Sequence, residues 1–398
     1  MNNFKIAVFG CWNTGCNKYS GQESVKDLLK LKESDYEFMV ILGDNYYANK
    51  KIYENIDLPK GLKIKETKLL DAKKGFECLD EIKLEKKLIM GNHDIEDSYD
   101  KNCSILKNQL KLQWYDVKFP YSFDIYFVQG ENNYSSVLMI YLDTTIYDED
   151  IKEKGGIYCI KETLGKNIKD LQCEQNEFIK NTLKFIEIQV YKIKSVIFYG
   201  HQPLIYTKDN NMTEIKKIDP LLSLLFDEIT KYDNINFYWI CADYHVYLNS
   251  KIVDQDNGKF IEQWIFGTGG GELDELIDKY QMDLILNYGN KTKKIQYQIL
   301  ENNIFDHNNH QVIIKDINQD KLIRGASRFG YGEIILNIDS ITHKFIVSKF
   351  CYDSTLKKKN KQNKIKDDSI TDEINHKKKY LKYKNKYLKL KKIYSIKL

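Results

Sequence analysis

Three histidines are the residues of this 398-residue chain best placed to do chemistry. His93, His201 and His245 each stand directly or closely behind a short apolar run, whereas the other four histidines lie in polar or lysine-rich surroundings. Short apolar runs of this kind are typical of buried strands. In open α/β sheets, ligands bind outside the carboxyl ends of the strands, so we expect the three side chains to meet at one edge.

Each of four such runs is followed by a motif that opens with a small residue, at which the backbone can turn sharply. The motifs are Gly43-Asp44-Asn45-Tyr46-Tyr47, Gly91-Asn92-His93-Asp94, Gly200-His201-Gln202-Pro203 and Ala242-Asp243-Tyr244-His245. They combine carboxylate, amide, imidazole and phenolate groups, a mixed set that suits Zn, Fe or Mn better than Ca. The motifs therefore predict a transition-metal site at this edge of the sheet.

The elements that position these motifs alternate between strands and helices, which predicts an α/β sheet with helices outside it. The predicted strands are Phe4–Phe9, Phe38–Leu42, Lys87–Met90, Val137–Leu142, Val196–Tyr199, Phe237–Cys241, Trp264–Phe266, Glu333–Leu336 and Phe345–Val347. The predicted helices are Val25–Leu31, Phe178–Val190 and Leu221–Ile229. Two polar stretches, about 50–85 and 272–322, are expected to be insertions that act as caps or loops.

The order GD, GNHD, GH and H resembles the calcineurin-like metallophosphoesterases, and GDNYY is most similar to the GDNFY of purple acid phosphatases. Asp143-Thr144, Gly267-Thr268-Gly269 and Phe329-Gly330-Tyr331 agree with that resemblance, which spans roughly residues 4–349. It implies an α/β fold of two mixed β-sheets packed as a sandwich and flanked by helices. It also implies two transition metals (Fe, Zn or Mn) and a phosphorylated small molecule or other phosphoester as substrate.

The resemblance assigns metal ligands position by position. Asp44 would bridge the two metals. Tyr47 and His245 would bind the first metal, and Asn92 and His201 would bind the second.

The same resemblance places His93 against the phosphoryl group, with Asp94 orienting its ring. His93 would then donate a hydrogen bond where negative charge develops, or protonate the leaving oxygen. The expected reaction is hydrolysis of a phosphomonoester by a metal-bound hydroxide. A phosphodiesterase is the alternative among enzymes.

Two ligand positions depart from the family. Where the family has an aspartate after its first strand, this chain has Cys11, followed by Trp12 and Asn13; where it has a second-metal histidine, this chain has Asp243. In one interpretation metals still bind, with Cys11 as a thiolate that favours zinc and Asp243 as a carboxylate that adds negative charge. In the other, one or both metals are lost and the chain is a catalytically weak or inactive binding protein.

The positive charge of the chain belongs to its C-terminal end. Residues 354–398 hold sixteen lysines against four acidic residues, a net of +12, whereas the preceding 353 residues hold 45 basic and 53 acidic residues, a net of −8. An acidic body argues against a long nucleic acid in the site.

The C-terminal end itself divides into a predicted lysine-rich linker, 354–375, and a basic amphipathic helix, 376–398. In that helix Tyr380, Tyr383, Tyr387, Leu390 and Tyr394 form a coiled-coil-like seam of about two heptads. The alternatives are self-association or docking on an acidic surface, and a solvated tail. The segment resembles the lysine- and tyrosine-rich tails of giant DNA virus proteins.

The cellular location of the protein is predicted from the absence of two sequence features. No apolar run approaches the ~20 residues that a membrane helix needs, and the N-terminus has no signal-peptide pattern. We therefore expect a cytoplasmic protein, or one of the host-cell cytoplasm or virion if viral. The eight cysteines form no CxxC pair, so mostly reduced thiols are expected.

Overall fold

The computed structural model describes residues 4–13, 21–45, 75–95, 103–129, 133–148, 156–207, 215–269, 281–288, 291–300, 304–305, 311–312, 325–326, 330–338 and 340–347. The chain divides into two compact units, Met1–Tyr352 and Asp353–Leu398. The predicted linker and tail helix lie outside the described residues, so they and the predicted 1–353 boundary stay predictions.

The elements are numbered in chain order. The helices are α1 (Gly21–Lys32), α2 (Asn92–Ile95), α3 (Ser104–Gln109), α4 (Gly156–Leu164), α5 (Ile168–Leu183) and α6 (Asp219–Ile229), and residues 75–80 are also helical. The strands are β1 (Phe4–Phe9), β2 (Phe38–Leu42), β3 (Glu85–Ile89), β4 (Asp116–Val117), β5 (Tyr121–Gln129), β6 (Tyr134–Leu142), β7 (Ile193–Tyr199), β8 (Ile205–Thr207), β9 (Ile215–Lys217), β10 (Asn236–Cys241), β11 (Tyr247–Asp254), β12 (Phe260–Phe266), β13 (Gln281–Tyr288), β14 (Lys291–Ile299), β15 (Ile304–Phe305), β16 (Gln311–Val312), β17 (Gly325–Ala326), β18 (Gly330–Leu336) and β19 (Ile341–Val347).

Two large mixed sheets form the centre of the first unit. In one sheet the strand order is β16-β15-β19-β18-β1-β2-β3-β4, and in the other it is β13-β14-β11-β12-β10-β7-β6-β5, with β17 paired to β11. Strands β8 and β9 form a separate hairpin. Both sheets contain parallel and antiparallel pairs, as the resemblance implied.

The apolar side chains fill three layers. One core lies between the sheets, where Ile6 and Val40 of one sheet pack with Ile197 and Ile240 of the other. The second core lies between the β6–β7–β10 sheet and helices α5 and α6, and the third lies between the β1–β2–β3 sheet and helices α1, α3 and α4. The predicted sandwich flanked by helices is therefore confirmed.

The parallel pairs bring the motif loops to one edge of each sheet. Strands β1, β2 and β3 are parallel neighbours, and so are β6, β7 and β10. Parallel neighbours end at the same edge, so the loops after these six strands lie side by side. Cys11, Asp44, His201 and Asp243 belong to these loops, and Asn92 is the first residue of α2, which follows β3.

Two sequence expectations about elements were wrong. The helix predicted at Phe178–Val190 is the end of α5, which begins at Ile168 behind the cap residue Asn167 and ends at Leu183. Part of the predicted insertion 272–322 is instead the antiparallel hairpin β13–β14 of the second sheet. Residues of β14 alternate between the core and the surface, the period of a half-buried strand.

The expectation of mostly reduced cysteines was also wrong. Cys103, just before α3, forms a disulfide with Cys159 of α4, 56 residues later, and Cys78 is disulfide-bonded as well. The Cys103 and Cys159 side chains are both buried where the two helices pack. Their wide spacing matches no short sequence pattern, so only the packing of α3 on α4 reveals the bond.

Replacing Cys103 and Cys159 together with serine is expected to lower the free energy of unfolding by about 2–4 kcal/mol, because the unfolded chain loses a cross-link. Thermal unfolding of the double variant and wild type measures this loss. Cys173→Ser changes an exposed thiol and should leave the transition unchanged. If reductant lowers the wild-type transition no more than that of the double variant, the disulfide does not form.

No helix within the described residues is both long and apolar enough to cross a membrane.

Candidate metal centre

Three residues of the motif loops have a backbone conformation that non-glycine residues rarely adopt. The φ angles are 53° at Cys11, 52° at Asp44 and 54° at Asp243. Left-handed backbone at such residues costs on the order of 1–3 kcal/mol each and persists only where the surroundings impose it. All three follow the ends of parallel strands, so the strain is concentrated where their side chains converge.

His201 lies at the middle of this convergence. Its imidazole is fully buried, and Nδ1 lies 2.7 Å from the carbonyl oxygen of Leu42. A carbonyl oxygen only accepts hydrogen bonds, so Nδ1 donates and Nε2 is directed at the other side chains. A metal-binding histidine is usually oriented in this way, with its second nitrogen donating to a carbonyl or carboxylate.

Four side chains with potential ligand atoms lie around His201 Nε2. From Nε2, Asn92 Oδ1 is 3.0 Å away, Asp44 Oδ1 is 3.2 Å away and Asp243 Oδ1 is 3.5 Å away. Cys11 Sγ lies 3.9 Å from Asp44 Oδ2. Cys11, Asp44 and His201 each offer one ligand atom, and these three atoms lie within 4.8 Å of one another. A single metal ion can span that spacing.

The electrostatics of the cluster favour a cation. Burial alone would lower the pKa of His201, but attraction by Asp44 and hydrogen bonding to Asp243 and Asp44 raise it well above its usual value. Burial alone would raise the pKa of Asp44, yet the charges of His201, His93 and His245 hold it well below its usual range. The oxygens that favour a proton on Nε2 are also those that would bind a metal ion in its place.

Two glycines allow the loops to approach so closely. A Cβ on Gly43, whose φ is 87°, would lie 2.6 Å from His201 Nδ1, and a Cβ on Gly91 would collide with the backbone and carboxylate of Asp44. Any side chain at either position would therefore push His201 or Asp44 out of place.

Asp94 is a buried anchor for two of the loops. Its Oδ2 accepts hydrogen bonds from the Gly91 N–H at 2.7 Å and from the backbone and side-chain N–H groups of Asn45, while its Oδ1 accepts one from Gln109 Nε2 at 3.0 Å. Burial and the nearby Asp44 raise the pKa of Asp94 to about 7, and these donors oppose the rise. Asp94 thus joins the Asp44 loop to the Asn92 loop; its predicted effect on the His93 ring stays a prediction.

His93 and His245 are the less buried histidines of the motifs. Both are half-buried, whereas Asp44 and His201 are buried. The His93 backbone N–H donates to Asp44 Oδ1 at 3.1 Å, and the charge of His245 lowers the pKa values of both Asp44 and Asp243. The remaining predicted ligand, Tyr47, lies outside the described residues.

Sequence reasoning missed three groups that support the loops. Asn45 accepts a hydrogen bond from Trp12 Nε1 at 3.0 Å and donates to the Ile89 carbonyl at 2.7 Å, so it ties β1, β2 and β3 together. Thr144 Oγ1 accepts from the N–H groups of His201 and Gln202 at 3.2 Å and 2.9 Å. Asn45 and Thr144 lie inside motifs that the sequence had singled out.

The third supporting group, Tyr206, carried no sequence signal. It is one of 29 tyrosines and lies in a three-residue strand. Its hydroxyl donates to Asp243 Oδ2 at 3.3 Å.

The fold and the cluster define a metal-dependent phosphoesterase architecture, and comparison with known families agrees. The calcineurin-like phosphoesterase family model matches residues 4–247, more than half of the chain, so the chain belongs to that family. No curated protein sequence matches it.

Twenty-one chains of solved structures match this chain. One is described as "GAP50 the anchor in the inner membrane complex of Plasmodium"; it is 14% identical, with a TM-score of 0.48 over 88% of this chain and 86% of that one.

Proposed function

We propose that the protein is a phosphomonoesterase of the purple-acid-phosphatase type whose metal centre has two altered ligands. The observation that carries the proposal is the convergence of Cys11, Asp44, Asn92, His201 and Asp243 from five separate segments of the chain. A thiol, two carboxylates, an amide oxygen and an imidazole are all competent ligands of zinc, iron or manganese. Two carboxylates, those of Asp44 and Asp243, lie beside the same imidazole nitrogen of His201.

These side chains are suitable ligands for a pair of transition metals, and they divide into two sets. Cys11, Asp44 and His245 would hold a first metal together with Tyr47, while Asn92, His201 and Asp243 would hold a second metal beside the same Asp44. Bound metals at this cluster would supply Lewis acidity and lower the pKa of a water. Cys11 would favour zinc, because thiolate ligands select it over manganese.

The protein's own groups would then act on the substrate. Asp94 and Thr144 keep the Asn92 and His201 loops in place. The half-buried His93 would donate a proton at the ester oxygen that leaves. Its partial exposure, next to a backbone N–H that contacts Asp44, supports this role.

The proposal is tested by loading the metal-free protein with zinc, manganese or iron, measuring the bound metal and assaying 4-nitrophenyl phosphate and bis(4-nitrophenyl) phosphate. We expect about two equivalents of metal and faster turnover of the monoester. Faster turnover of the diester would favour the phosphodiesterase alternative. Absence of both metal and turnover would leave a non-catalytic binding protein.

Cobalt distinguishes the role of Cys11 from that of the other ligands. A thiolate bound to cobalt gives a near-ultraviolet charge-transfer band, which we expect in wild type and not in Cys11→Ser. The exposed Cys173 provides the matched control, since Cys173→Ser should retain the band. A band that persists in Cys11→Ser would show that Cys11 is not a ligand. Similarly, a visible band after iron loading that Tyr47→Phe removes would support Tyr47 as a ligand.

The location and the tail remain proposals. Disulfides are rare in the cytosol and form in oxidising compartments such as virion and cell surfaces, so Cys103–Cys159 favours an oxidising compartment over the cytoplasm. We further propose that the lysine-rich tail associates with itself or with an acidic surface.

A further inference from the structure

Asp243 has a partner on each of its two carboxylate oxygens. Oδ1 lies 3.5 Å from His201 Nε2, inside the ligand cluster, and Oδ2 accepts a hydrogen bond from the Tyr206 hydroxyl at 3.3 Å. The side chain is about 20% exposed, so solvent reaches it from one side while His201 and Tyr206 hold it from the others. One oxygen is thus presented to the metal centre and the other is occupied by the protein.

The position of the Tyr206 hydroxyl is set by the fold. Tyr206 is buried, and its ring packs against that of Tyr244 at a centroid distance of 5.5 Å. The backbone on its N-terminal side is held by the fully buried Gln263, which accepts from the Leu204 N–H at 2.7 Å and donates to the Ile205 carbonyl at 2.8 Å. The hydroxyl therefore approaches Asp243 from a fixed direction.

A carboxylate needs such support more than an imidazole does. An imidazole presents a single nitrogen, whereas a carboxylate has two equivalent oxygens and binds metals through one or both of them. A hydrogen bond to one oxygen fixes the carboxylate plane and leaves the other oxygen for the metal. It also withdraws part of the negative charge that Asp243 adds to the centre.

We propose that Tyr206 is a positioning residue that holds Asp243 as a one-oxygen ligand of the second metal. This inference rests on the proposed metal-dependent function. It explains how a carboxylate serves at a position where the family has a histidine. Groups that orient metal ligands typically change metal affinity about 10–100-fold when they are removed.

The test compares metal affinity in Tyr206→Phe with that of a matched control. Tyr247 is the control, because its buried hydroxyl has no hydrogen-bond partner among the residues that the structure describes, and its ring stacks on Phe266 and Phe345 in the core between the sheets. Titrating metal-free protein with Zn²⁺, we expect Tyr206→Phe to weaken the second binding event about 10-fold. Tyr247→Phe should change it less than about 2-fold.

The same Tyr206 substitution, made in a variant that lacks the Asp243 side chain, shows whether Tyr206 acts through Asp243. In Asp243→Gly, which suits the left-handed backbone, adding Tyr206→Phe should change zinc affinity less than about 2-fold, because the acceptor is absent. With cobalt, Tyr206→Phe should shift the visible d–d bands and leave the Cys11 charge-transfer band in place. A structural role for Tyr206 would alter both features together.

The outcomes separate the two proposals. If wild type binds zinc and Tyr206→Phe binds it equally well, or if the loss persists in Asp243→Gly, Tyr206 does not position Asp243 and the proposed function stands. If wild type binds no transition metal, the proposed function fails and the role of Tyr206 fails with it.

Discussion

Asp44→Asn is expected to lose metal binding by at least about 100-fold, more than the loss typical of groups that only orient ligands. Asp44 contributes the carboxylate closest to His201 Nε2, at 3.2 Å, and its other oxygen faces Cys11 Sγ. Asparagine preserves the shape and the acceptor for the His93 N–H but removes the charge. Phosphatase activity should therefore fall to background, as measured by titration with zinc and by 4-nitrophenyl phosphate hydrolysis.

The same substitution should have little effect on the stability of the metal-free protein. Asp243 remains to balance the charge of His201, and asparagine adopts left-handed backbone more readily than most residues. We expect the unfolding temperature to change by no more than about 2 °C, the equivalent of roughly 1–2 kcal/mol in a chain of this size. A large loss of stability would instead indicate that Asp44 has a structural role.

The matched control is Asp254→Asn, which neutralises an equally buried aspartate at the β11–β12 turn. Asp254 pairs with Lys293 at 3.2 Å and belongs to no motif loop. Metal affinity and turnover should be unchanged. An equal loss in both variants would mean that the assay reports folding rather than ligation.

The sequence predicted the edge at which the candidate site lies because the relevant signals are local. Apolar runs identified β1, β2, β3, β7 and β10, and the rule that ligands bind at strand ends placed the motifs together. The resemblance supplied the pairing of Asp44 with Asn92 and His201. Within the described residues, the cluster is the product of parallel strands that end at a common edge.

The supporting contacts could not be predicted because they are set by packing between distant segments. Gln109 reaches Asp94 only because α3 packs on α2, and Tyr206 reaches Asp243, 37 residues later, through the short β8 hairpin. The Cys103–Cys159 bond likewise depends on how α3 meets α4. No short-range pattern marks any of these pairs.

Strand β5 was missed for a different reason. Its sequence, YSFDIYFVQ, carries aromatic residues on both faces, and most of its side chains are half-buried. It forms the last strand in the order of its sheet, where Tyr121 and Phe123 pack against Phe178 of α5. The alternation in its first half ends at the continuous apolar run 125–128, which places apolar residues on both faces and obscures the strand period.

His93→Ala is expected to lower turnover about 10²–10⁴-fold without changing the amount of bound metal. His93 is half-buried, and its backbone N–H donates to Asp44 Oδ1. The backbone contact survives the substitution, so the Asp44 position is preserved. The loss should therefore appear in kcat, measured with protein whose metal content is determined in the same preparation.

Comparing substrates with different leaving groups distinguishes between two possible roles of the His93 ring. If its ring protonates the departing oxygen, His93→Ala should slow alkyl phosphates much more than 4-nitrophenyl phosphate, because nitrophenolate leaves readily without a proton. A ring that only stabilises charge on the phosphoryl oxygens should slow both substrates by similar factors. Added imidazole should restore part of the activity towards alkyl phosphates in the first case. Unchanged turnover of both substrates at full metal content would remove His93 from the mechanism, and catalysis would then rest on the metal centre alone.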